Sequence, residues 1–270
     1  MNQDEWLRPG PRDHLVTRAL AELLDGIDSS LVDRAPLDAA EGPRRLARHL
    51  ARVIERELVA LGEDRDVASR QSERINALLE ATSDEGIVVP PEVWTGLRAV
   101  PTGLGQQSLA IPLPATPLGT SDLLVNGEGQ PNIGSELRAE LASVHNADVI
   151  LAFVIWSGVV QLRDALRGVV ERGGTLRVIT TTYMGATQRR ALDELVRLGA
   201  EVRVAFDART TKLHAKAWLL ERGAGLTTAF IGSSNLSHTA LFDGLEWNVR
   251  LSAADAPHVI DRVRLMFASH

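Results

Sequence analysis

Five side chains between positions 214 and 246 have types and spacing suited to phosphate-ester chemistry: His214, Lys216, Ser233, Asn235 and Glu246. An imidazole titrates near neutrality, so it can attack, donate a proton or accept one. An ammonium two residues away can neutralise a phosphate oxygen as charge builds. Strand alternation over 212–220 places Lys212, His214, Lys216 and Trp218 on one face, and the apolar Leu213, Ala215, Ala217 and Leu219 on the other. A His-x-Lys pair alone describes a solvated strand face equally well. The next strand-like stretch, 228–232, runs into Gly232-Ser233-Ser234-Asn235. Small residues there let backbone approach a ligand, and Ser233 and Asn235 offer donors to phosphate oxygens. Ordinary helix capping is the competing reading of the same residues. Glu246 enters a strand containing Val249 and Leu251. It reads either as a carboxylate holding a histidine ring in one tautomer or as the edge of a solvated strand.

Composition narrows the setting. The chain has 270 residues, a net charge of −6 and no cysteine. Thiolate metal sites, cysteine nucleophiles and disulfides are therefore excluded, and a reducing, cytoplasmic location is expected. The first twelve residues are polar and carry Pro9 and Pro11, unlike a signal peptide, and no apolar run is long enough to span a membrane. Residues 1–125 hold 13 basic and 20 acidic side chains, against 16 and 15 in 126–270, so the second part is the expected contact surface for a polyanion. Arg203, Arg209, Lys212 and Lys216 are candidates for a local basic patch. The chain uses 27 arginines and only two lysines, Lys212 and Lys216. A compact ammonium fits against one phosphate oxygen where a planar guanidinium is a wider fork.

The elements that must position these residues are read from periodicity. Helical patterns at 13–24, 43–61 and 66–81 predict a small helical domain over 1–85, with Asp13 as a cap for the first. His14 and His49 read there as ordinary surface or packing residues. Residues 86–120, rich in proline and glycine, predict an ordered connector or short edge strands. From 121 to 270 the pattern predicts helix at 133–143, strand at 149–156, helix at 159–172, strand at 176–181, helix at 187–198 capped by Thr187, and strand at 201–206. Strands at 212–220, 228–232 and 246–251 come next, then a helix at 259–267. This alternation implies an α/β fold with a mixed sheet, parallel in its first part. The unit occurs once.

His214-x-Lys216, Gly232-Ser233-x-Asn235 and Glu246 together resemble the signature of the phospholipase D superfamily, in the spacing of its single-motif nucleases. Residues 121–252 resemble more closely the nuclease module that precedes superfamily-2 helicases in bacterial restriction and defence proteins. Ile155-Trp156-Ser157-Gly158, the stretch 180–187, the stretch 213–218 and the stretch 244–250 carry that likeness, and the helical region resembles the segment preceding that module. One position departs: the superfamily usually has aspartate five residues after the lysine, where this chain has Glu221.

The resemblance implies a phospholipase D-like α/β/α sandwich and a metal-free mechanism without cofactor. Histidine attacks phosphorus to form a phosphohistidine. A second histidine protonates the leaving oxygen and then activates water. Lysine and asparagine hold the non-bridging oxygens, with Ser233 among the phosphate ligands; Lys212 and Arg209, read from charge as part of a basic patch, are the further substrate contacts expected. One motif per chain implies a homodimer with the site on its two-fold axis, acting on DNA. His238 is the other histidine near the motif. The resemblance also implies a helicase domain or subunit as partner. No P-loop is present, since Thr211 and Ala215, not glycine, precede the two lysines. Two other readings stay open: a lipid phosphodiesterase, and a catalytically silent DNA-binding or dimerisation module.

Overall fold

The computed structural model describes residues 16–26, 42–62, 65–80, 113–127, 131–206, 213–223 and 226–269. The chain divides into two compact units, Met1–Val100 and Pro101–His270. The first contains helices α1 (Arg18–Leu24), α2 (Gly42–Val59) and α3 (Val67–Leu79). Thr17 caps α1, its hydroxyl accepting from Leu20 N at 3.3 Å. Asp13, the expected cap, lies outside the described residues. Arg70 and Gln71 of α3 donate to the carbonyls of Leu61 and Leu58, tying α3 to the end of α2. Most of the expected connector, 86–112, also lies outside the described residues.

The second unit holds β1 (Asp122–Val125), α4 (Ile133–Leu141), β2 (Asn146–Leu151), α5 (Trp156–Glu171), β3 (Thr175–Thr181), α6 (Arg189–Arg197), β4 (Glu201–Ala205), β5 (Lys216–Glu221), β6 (Thr228–Gly232), β7 (Trp247–Ser252) and α7 (Pro257–Ala268). The seven strands make one mixed sheet in the order β1-β7-β6-β5-β2-β3-β4. β2, β3 and β4 run parallel, joined by α5 and α6; every other pairing is antiparallel. Parallel neighbours need a crossover helix, whereas β5, β6 and β7 succeed one another by shorter links.

Leu137 and Leu141 of α4, Leu162 and Leu166 of α5 and Leu195 of α6 pack on one sheet face, over Val149, Leu151, Val178, Trp218, Leu220 and Phe230. Each such leucine contributes about 1.5–3 kcal/mol by leaving water. Ile260 and Phe267 of α7 cover the opposite face over Ile150, Leu219 and Ala229. The fold of this unit is therefore an α/β/α sandwich around a mixed seven-stranded sheet.

Several boundaries differ from the sequence expectation. β2 starts at Asn146 and stops at Leu151, because Trp156 already opens α5. β5 begins at Lys216, so His214 lies in the extended lead-in. Trp218 is buried under the helices, since β5 is packed on both faces beyond its first residue. β7 begins at Trp247 and leaves Glu246 in the turn before it. Thr187 does not cap α6: its hydroxyl donates to Thr181 O at 2.8 Å, and Gln188 occupies the cap. The edge strand β1 was outside the expected set. Its four residues carry too short a pattern to register.

A buried ion network fixes the sheet beneath the site. Glu140 of α4 is fully buried, and its carboxylate accepts from Arg222, from Arg250 Nε at 2.7 Å and from Thr228 Oγ1 at 2.7 Å. Arg222 also donates to Ser143 Oγ and Leu226 O, and Arg250 Nη1 to Pro117 O and Thr120 O. Arg222 comes directly after β5, Thr228 opens β6 and Arg250 lies in β7. One carboxylate thus ties the three strands whose opposite ends lead to His214, Ser233 and Glu246.

Candidate active site

The start of β5, the end of β6 and the start of β7 lie at the same end of the sheet, because the three strands alternate in direction. That edge gathers His214, Lys216, Ser233, Asn235 and Glu246. His214 is exposed and Lys216 half-buried. Lys216 Nζ donates to His214 O at 2.9 Å and lies 3.1 Å from the ring's Nδ1 and 3.3 Å from Nε2. An ammonium only donates, so a ring nitrogen facing it acts as acceptor. Phe153 meets the same imidazole edge-on, with ring centroids 6.2 Å apart.

The loop after β6 depends on Gly232. A Cβ there would collide with Trp247 O and with Asn248. The close approach lets Ser233 N donate to Trp247 O at 3.1 Å, while Ser233 Oγ donates to Glu246 and accepts from Trp247 N. Asn235 Oδ1 accepts from Phe153 N at 3.0 Å, which anchors its carbonyl and leaves its Nδ2 donors for a ligand. Asn235 is therefore not a helix cap. Ser237 takes that part, accepting from Ala240 N ahead of a π-helical turn at Thr239–Asp243.

Glu246 differs from its expected place. In this chain its carboxylate is bonded to Ser233, with no hydrogen bond to His214 among the described residues. It does act on Lys216: burial holds that ammonium below the ordinary lysine range, and the charge of Glu246 opposes the shift. If the protonated amine is the working form, activity falls as pH rises through the lysine's pKa, earlier than for an ordinary lysine. Glu246→Gln removes the opposing charge and should move that alkaline limb to still lower pH. Rates measured from neutrality upwards check this, and an unmoved or raised limb contradicts it.

His238 is engaged elsewhere, its Nδ1 2.9 Å from Asp243 Oδ2. Glu221, at the far end of β5, pairs with Arg264 of α7 at 2.8 Å and takes a structural part. Lys212 and Arg209 lie outside the described residues. Phe153 escaped the sequence reading because it comes just after a strand with no polar signal. Among the described residues, no cluster of histidine and carboxylate side chains is arranged to hold a metal ion, and no helix is long and apolar enough to cross a membrane.

Residues 137–269 match the family model described as "Cardiolipin synthase, PLD-like domain". That region therefore resembles a phospholipase D-like domain, the fold class expected from the sequence. No curated protein matches the chain. Among solved structures, NucT from Helicobacter pylori is similar at 13% identity and a TM-score of 0.44, over 56% of this chain and 94% of that one. Nuc from Salmonella typhimurium, a phospholipase D family member, is similar at 15% identity and a TM-score of 0.44, over 56% and 92%. Polyphosphate kinase from Porphyromonas gingivalis is similar at 15% identity and a TM-score of 0.41, over 56% and 26%.

Proposed function

We propose that this chain is a metal-independent DNA phosphodiesterase whose site is completed by a second copy of itself. The observation that carries the reading is the exposed His214 ring, set against the Lys216 ammonium at the edge where Ser233 and Asn235 meet it. A ring nitrogen of His214 attacks phosphorus, and a phosphohistidine forms as the bond to the leaving oxygen breaks. Lys216 has one donor tied to a backbone carbonyl and one facing the imidazole, which leaves the third for a non-bridging oxygen; Asn235 Nδ2 supplies another. The leaving oxygen takes its proton from His214 of the second copy. That imidazole, now neutral, deprotonates the water that releases the phosphate.

The need for a second imidazole is matched by a surface to bring it. On the sheet face that α7 leaves open, Leu123, Val249 and Ile231 stand side by side across β1, β7 and β6, with Trp247 two residues along. They are 46, 43, 38 and 60% exposed. Trp247 N is bonded to Ser233 Oγ, so the apolar strip runs directly into the site. An apolar strip beside a half-complete site suits a second copy packing about a two-fold axis. Val249→Asp should leave the fold intact, shift the protein to monomer in sedimentation and lower cleavage with it. A dimeric, active variant would rule this surface out as the contact between copies.

The proposed setting, a nuclease module working with a helicase in restriction or defence, rests on the likeness carried by residues 155–158, 180–187, 213–218 and 244–250. The function is tested by incubating plasmid and single-stranded DNA with the protein in excess EDTA, with phospholipid vesicles in parallel. Cleavage of DNA that survives chelation is expected. Activity lost on chelation, or confined to the vesicles, overturns the reading.

A further inference from the structure

The parallel strands β2, β3 and β4 end on the same edge of the sheet as His214, and each gives way there to aromatic or apolar side chains that reach the surface. After β2 comes Phe153, on the His214 ring, and then Trp156 at the start of α5. After β3 comes Met184, 74% exposed and held at φ 62°, a left-handed conformation uncommon for a side chain of its size. After β4 comes Phe206, 77% exposed. None of the last three serves the core.

Trp156 is also the base of an arginine stack. The Arg190 guanidinium carbon lies 3.7 Å from its ring centroid, and that of Arg163 lies 5.4 Å away. The neighbouring arginines are committed: Arg163 and Arg197 to Glu194, and Arg189 to Asp193. Arg190 has no carboxylate partner among the described residues and is exposed, so one face of its guanidinium and several donors remain open. The stack is fixed to the site. Gln188 holds Trp156 N through its Oε1 at 2.8 Å and Val154 O through its own N at 2.9 Å. Ile155 N reaches Leu236 O at 2.9 Å, one residue from Asn235. Gly158 permits this, because a Cβ there would strike the backbone of Leu236 and Ser237.

We infer that this rim is a track for an unpaired nucleic-acid strand leading away from His214, with Arg190 on Trp156 as its first base-and-phosphate contact and Met184 and Phe206 beyond it. The inference deepens the DNA-cleaving reading and rests on it. Planar and apolar side chains interleaved with a free guanidinium bind unpaired bases with little regard to sequence, since every base has a stacking face. The inner faces of paired bases are hidden in duplex, so the rim discriminates against it. From β5 to β4 the sheet spans about 14 Å at ~4.7 Å per strand, or about four stacked nucleotides at ~3.4 Å each.

The test compares wild type with Arg190→Glu and Phe206→Ala, both changes at exposed positions. Fluorescence anisotropy with a labelled single-stranded oligonucleotide of about 12 nucleotides, and with its duplex, measures binding. Hydrolysis of bis(p-nitrophenyl) phosphate, a diester too small to reach the rim, measures the chemistry. Wild type should bind the single strand more tightly than the duplex. Arg190→Glu should weaken single-strand binding about tenfold or more and Phe206→Ala by less, with hydrolysis of the small diester unchanged. Wild-type strength of binding in Arg190→Glu, equal affinity for duplex, or a parallel loss of small-diester hydrolysis would overturn the track. Should wild type hydrolyse no diester at all, the proposed activity fails, while the binding comparison still decides the track.

Discussion

His214→Ala should lower phosphodiester cleavage by at least about 10³-fold while leaving the fold unchanged. Nucleophile and proton donor are the same side chain in the proposed dimer, so one substitution removes both, and groups that act as a unit fail together. The fold should survive because His214 is exposed and ahead of β5, outside either core cluster. Lys216 donates to the carbonyl of residue 214, a bond the alanine variant keeps, so the ammonium has a reason to stay in place. The loss can then be assigned to the imidazole. Circular dichroism and the unfolding midpoint should match wild type within the small range usual for exposed positions. A variant that still cuts DNA at a substantial rate would remove His214 from the chemistry.

The largest expected effect on stability lies toward the other end of the same three strands. Glu140→Ala should cost about 3–5 kcal/mol, because it leaves Arg250 and Arg222 buried without their shared counter-charge. Against a typical domain stability of about 5–15 kcal/mol, that is a large fraction. The urea midpoint should fall sharply, and residual activity should fall with it, since Glu140 ties β5, β6 and β7. An unchanged midpoint would mean that the network contributes little. Asp148 and Arg177 offer a contrast: the pair lies at 2.5 Å but Arg177 is partly exposed, so breaking it should cost far less.

How far the sequence reveals this molecule depends on the physics of each element. The βα alternation from 131 to 206 was legible because β2, buried on both faces, reads as an apolar run, β3 and β4 alternate as half-buried strands do, and amphipathic helices have their own period. Thr228–Gly232 was legible to the residue, bounded as it is by small and polar positions. The end of β2 was not, since Phe153, Val154, Ile155 and Trp156 continue its apolar run into a loop and a helix. Thr187 looked like a cap because nothing local distinguishes a hydroxyl facing its own helix from one that reaches back to Thr181. The five site residues stood out because their chemistry has few uses together. The contacts that hold them and the neighbouring rim in place were hidden. Glu246 to Ser233, Asn235 to Phe153 and Gln188 to Trp156 are contacts between separate strands and loops, with no local pattern to announce them.

The most direct measurement mixes subunits. Wild type and His214→Ala are combined at equal concentration, allowed to exchange fully, and assayed for DNA cleavage. If each site needs an imidazole from both polypeptides, mixed dimers are dead and only about one quarter of the dimers, those with two wild-type chains, can work. Activity should then be about one quarter of that of wild type alone at the same total protein concentration. Activity near one half would mean that each chain cuts alone, with its own ring and no help from a twin.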